Sequence, residues 1–123
     1  MTAFSALADT LRRLSVAIRP LTTAAYTRRD LRSSGSIGAH VRHCLDHVCA
    51  FERGIAIGEV CYDQRERQTV VEHDVQLAVS RLQRAMARIG SLDDRLLDRT
   101  LTLRARVSDE GIEVRVATTS VAS

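Results

Sequence analysis

Apolar residues recur every three or four positions in three separate stretches of the chain. That period restricts each stretch to a helix burying one narrow stripe. Phe4, Leu7, Leu11, Leu14, Ile18, Leu21 and Ala25 form the first stripe. Ile37, Val41, Cys44, Val48, Phe51 and Ile55 form the second; Val71, Val75, Ala78 with Val79, Leu82, Ala85 with Met86, and Ile89 form the third. With no Trp, two Phe and two Tyr among 123 residues, aliphatic side chains must fill the space between such helices, which suits closely packed seams. A chain of this length holds one core, so residues 1–123 read as a single domain.

Local signals bound the stripes. Pro20 has no amide hydrogen and clashes with the preceding turn, so the first helix spans about 3–19, with Leu21 to Tyr26 as a second short turn or helix. Arg28 to Gly35, rich in charge, serine and glycine, is the connecting loop. Ser36 is placed to cap a second helix over about 37–55, with Gly54 and Gly58 marking its fraying end. Tyr62 to Gln68 is polar and charged, a loop. Thr69 and Glu72 have the spacing of a capping box that opens a third helix over about 69–89, and Gly90 sits where a left-handed C-terminal cap belongs. After Asp98 the period falls to two: Leu101, Leu103, Ala105 and Val107, then Ile112, Val114 and Val116 beyond the turn Ser108 to Gly111. That pattern predicts a β-hairpin over about 100–117.

The net charge of +3 is too small to mark a dedicated polyanion binder, and no nucleic-acid partner is expected. All 18 basic residues are arginine, and Arg81, Arg84 and Arg88 share one face of the third helix, read as a solvated face. Asp9, Arg12 and Arg13 interrupt the amino-terminal stretch where a secretory leader would be apolar, and no stretch approaches the roughly 20 apolar residues of a membrane span. Cys44, Cys49 and Cys61 are an odd number without a CxxC pair, which points to reduced thiols and a cytoplasmic setting.

The sharpest chemical feature is His40, His43 and His47 in the second helix. At about 100° per residue they share an arc of roughly 60°, set about 90° from the apolar seam. Neutral imidazoles three and four residues apart can share one borderline-soft cation, with a further ligand from another element; the competing reading is a structural or surface role. A second constellation comprises Tyr62, Asp63, Arg65, Arg67, Glu72 and His73. Its arginines could pair with Asp46 or Glu52 in an ion-pair network, or clamp an anionic substrate through forked hydrogen bonds. Cys44 with His47 is a conceivable nucleophilic pair, since residues three apart face each other on a helix.

Ser36 to His47, SIGAHVRHCLDH, followed by Tyr62 to Asp74, YDQRERQTVVEHD, resembles a branch of the DinB-like superfamily, and the likeness runs from roughly Leu7 through the hairpin. The resemblance implies a mainly α fold: three helices of an up-down-down-up four-helix bundle plus a C-terminal β-hairpin. Members of that family often hold a divalent metal with three histidines, one from the second helix and two from the last, and several act with low-molecular-weight thiols as transferases or isomerases. His43 corresponds to the second-helix ligand; His40 and His47 are extras of this branch. The sequence TTSVAS resembles the lead-in to the last helix, so the fourth helix is expected to be missing and the domain incomplete. The functional expectation is a divalent-metal-binding protein (zinc, nickel, iron or manganese) with His43, His47 and His40 as ligands, related to thiol-dependent transferases. Asp46, Tyr62, Asp63, Arg65, Arg67 and Glu72 would support the metal or bind substrate, and whether the chain is an enzyme stays open. The alternative is a noncatalytic helical interaction or dimerisation module, or a truncated inactive relic, homodimerising through the groove left by the missing helix.

Overall fold

Each helix begins or ends where a backbone or side-chain group intervenes. In a computed structural model, which describes residues 3–30, 35–57, 59–61, 69–93, 95–96, 100–106 and 113–120, the order is α1 (Ala3–Ile18), α2 (Thr23–Thr27), α3 (Ile37–Ile57), β1 (Glu59–Cys61), a 3-10 turn (Thr69–Glu72), α4 (Val75–Gly90), β2 (Thr100–Arg106) and β3 (Glu113–Ser120). The architecture of the described residues is mainly helical. No helix among them is long and apolar enough to cross a membrane.

Pro20 acts as its chemistry requires: α1 stops at Ile18, and the Leu21 amide closes the turn on the Ile18 carbonyl at 3.0 Å. Thr22 caps α2, its hydroxyl accepting from the Ala25 amide at 3.1 Å. Ser36 caps α3 in the same way, accepting from the Ala39 amide at 3.0 Å.

Two expected helix boundaries are corrected. Thr69 and Glu72 do not open the third long helix; they lie in the 3-10 turn, and α4 starts at Val75 with the Asp74 carboxylate accepting from the Leu77 amide at 3.0 Å. Asp74 is the stronger cap, because its carboxylate carries a full charge to the helix N-terminus. Gly90 is not a left-handed cap either. It lies within α4, and Ser91 closes the helix with a right-handed backbone (φ −92°, ψ −3°), its amide returning to Ala87 and Arg88.

α4 holds the helices together, packing against both α1 and α3, while α2 and the 3-10 turn pack against α3. Phe4, Leu11 and Ile18 of α1 are buried with Ala78, Leu82, Ala85 and Ile89 of α4. On α3 the buried stripe is Val41, Leu45, Val48 and Ile55. It is rotated from the expected one, for Leu45 is fully buried while Ile37 is 43% exposed. The core residue of the α2 segment is likewise Tyr26, fully buried, in place of the exposed Ala25.

β1 pairs in parallel with β2, Val60 opposite Leu103, and β2 pairs antiparallel with β3 from Thr100 opposite Ser120 to Arg106 opposite Glu113. A bulge lies between Leu103 and Arg104. The turn expected at Ser108 to Gly111 lies outside the described residues. Thr118 to Ser120, expected to lead into a further helix, belong to β3. A three-residue strand such as β1 is too short to register in the apolar pattern.

One glycine is required by a close approach. A Cβ on Gly38 would come within 2.1 Å of the Glu72 carbonyl oxygen and 2.8 Å of the Tyr26 ring. The closer obstacle is backbone and cannot swing aside. Gly38→Ala is expected to destabilise the protein by at least about 2 kcal/mol through overpacking, read as a lower urea midpoint at unchanged slope.

Candidate functional site

The Ser36 cap and the Gly38 contact fix the first turns of α3, and with them the histidines. His40 and His43 are exposed and His47 is half-buried, so the arc rises from solvent toward the rim of the core. The rings of His43 and His47 touch edge to face, centroids 4.3 Å apart and planes at 66°. His40 stands one turn before them, its amide bonded to the Ser36 carbonyl at 3.2 Å. Among the described residues, no group of three or more His, Cys, Asp or Glu side chains is arranged to hold one metal ion. The structure therefore brings together two of the three expected ligands.

Of the second constellation, Tyr62, Asp63, Arg65 and Arg67 lie outside the described residues. Glu72 is half-buried and pairs with Arg42 at 3.0 Å. The Arg42 Nε is buried and has no acceptor among the described residues. His73 is exposed beside Asp74, at the mouth of an open recess shared with Arg19 and Thr22. Asp46 is buried and takes part in further polar interactions, and Glu52 pairs with Arg88 of α4 at 2.8 Å.

Tyr26 escaped the sequence reading and sits at the centre of this region. Its hydroxyl donates to the Val71 carbonyl at 2.7 Å, joining α2 to the 3-10 turn across 45 residues of chain. Burial, aided by the negative charges of Asp74 and Glu72, pushes its phenol up to about 12. The available signal was the lone aromatic on a short segment between a proline and a loop. Such a side chain has no reason to be there unless it reaches another element.

Cys44 is half-buried. Burial pushes its thiol up, and the neighbouring Cys49 adds to the effect. A thiol shifted in that direction holds less thiolate at neutral pH, the opposite of an activated nucleophile, so the Cys44 and His47 pairing has no electrostatic support. No protein-family model matches the chain, and neither the curated proteins nor the solved structures contain a match to it.

Two measurements follow from these shifts. The folded state holds the Tyr26 proton more tightly than the unfolded chain does, so its contribution is complete below pH 10 and is lost as the pH climbs to about 12. Urea unfolding is expected to show a loss of about 2–3 kcal/mol across that window. Tyr26→Phe should be less stable by about 1–3 kcal/mol at neutral pH, because the Val71 carbonyl loses its donor, and should lack the alkaline loss. Alkylation by iodoacetamide near neutral pH should be slower at Cys44 in the native protein than in urea. Equal rates would show a thiol that burial does not restrain.

Proposed function

We propose that the chain is a divalent-metal-binding helical protein of DinB-like type, with His43 and His47 as the nucleus of the site and His40 as a further ligand. The reading includes the finer architecture that the resemblance implies: three helices of an up-down-down-up bundle with a C-terminal hairpin. The observation that carries it is the contact between the His43 and His47 rings, one turn of α3 apart, at the rim of the core. Two imidazoles at i and i+4 supply half of a tetrahedral zinc set, and water or a second copy of the chain would complete it. A bound metal would supply Lewis acidity toward a thiolate or water. The protein's own part is to hold the two rings on a rigid helix, its start fixed by the Ser36 cap and the Gly38 contact. The proposed thiol is a low-molecular-weight one.

Elemental analysis of protein purified without a tag, together with melting curves with added zinc, nickel, manganese or iron(II), tests this. Bound metal and a rise in melting temperature that His47→Ala abolishes are expected. Background metal content and no rise would overturn the reading.

A second reading, a noncatalytic interaction or dimerisation module, draws on apolar exposure: Ile57 is 77% exposed, Val70 63% and Val16 53%. It predicts a dimer in sedimentation that His43→Ala leaves unchanged. A monomer with saturable metal binding counts against it.

A further inference from the structure

Between α3 and α4 the surface opens into a cleft of about 230 Å³. Its apolar base is Leu45, with Cys49 beside it. Arg53 from α3 and Arg81, Arg84 and Arg88 from α4 also line the cleft, together with Glu52. The spacing of Arg81, Arg84 and Arg88 places them on one side of α4, and read on that helix alone they are a solvated face. The fold adds a fourth arginine from the neighbouring helix, so that two helices that pack together line one cleft with four arginines.

Among the described residues, four arginines and one carboxylate, Glu52, line the cleft. Glu52 offsets one of them, holding the Arg88 Nε at 2.8 and 3.1 Å from its two oxygens. Arg53 and Arg81 are themselves engaged in further interactions, whereas Arg84 forms no ion pair among the described residues. Arg88, held by Glu52, loses less freedom when a ligand arrives.

We propose that this cleft binds a small phosphate-bearing molecule, a phosphate monoester or inorganic phosphate, with Arg84 as the principal donor and Arg53, Arg81 and Arg88 supplying the surrounding field. A planar carboxylate is satisfied by one fork. A tetrahedral dianion presents oxygens in several directions at once, which is what guanidinium groups from two helices match. The cleft is smaller than the roughly 300–1,000 Å³ of sites for larger organic ligands, so the phosphate carries a small body. Among the described residues no aromatic side chain lines it, and single-stranded nucleic acid is held by stacking its bases on such rings. The proposal does not rest on the histidine reading. At about 100° per residue, Leu45, Cys49, Glu52 and Arg53 lie on roughly the opposite side of α3 from His40, His43 and His47.

Isothermal titration with inorganic phosphate and with glycerol 3-phosphate, against sodium chloride at matched ionic strength, is the test. Saturable binding is expected, tighter for the monoester if the organic body is also recognised and tighter for inorganic phosphate if it is not. Arg84→Gln should weaken binding about tenfold, with Arg84→Lys falling between it and the native chain. Glu52→Gln should tighten binding several-fold, a gain that loss of structure cannot produce. Phosphate acting only as chloride does, or an Arg84→Gln chain that binds as well as the native one, overturns the proposal. So does a short single-stranded oligonucleotide that binds more tightly than glycerol 3-phosphate, which would make the cleft part of a nucleic-acid track.

Discussion

The hydrogen bond from the Tyr26 hydroxyl to the Val71 carbonyl is the tie on which the arrangement around α3 depends. It is made inside the core, where an unpaired carbonyl would be costly, and it joins a five-residue helix to a four-residue 3-10 turn. Neither segment is long enough to hold its shape unaided. Gly38 permits the tie, since α3 passes so close to Glu72 that a side chain at that position would meet the carbonyl oxygen. The same proximity sets Glu72 against Arg42 and places Asp74 to cap α4. The start of α3, which carries the histidines, and the start of α4, which covers α1, are therefore positioned by one cluster.

The long-period features of this arrangement were legible in the sequence. The α1 and α4 stripes bury at Phe4, Leu11, Ile18, Ala78, Leu82, Ala85 and Ile89, as a helical period requires, and Pro20 ends α1. What the pattern missed was set by partners distant in sequence. Leu45 replaces Ile37 in the buried stripe of α3 because α4 and the 3-10 turn decide which side of that helix is covered. Thr69 and Asp74 are both chemically acceptable caps, and only the tertiary placement of Val71 shows that the chain must first make a separate turn.

The candidate site divides in the same way. That His40, His43 and His47 share one side of α3 follows from spacing, whereas contact between the His43 and His47 rings depends on rotamers and burial that spacing does not contain. The arginine face of α4 was visible as a stripe. Its meaning changes only because α3 places Glu52 and Arg53 against it, and no reading of a single helix can supply the opposite wall.

The central position of α4 also orders events during synthesis. Phe4, Leu11 and Ile18 are made before the α4 residues that bury them, which end at Ile89. Until α4 is made, the nascent chain carries an uncovered apolar stripe whose partner does not yet exist. Closing that contact late, over a long loop of chain, raises the entropic barrier to folding and lengthens the interval in which chaperones or neighbouring nascent chains can engage the amino-terminal helix.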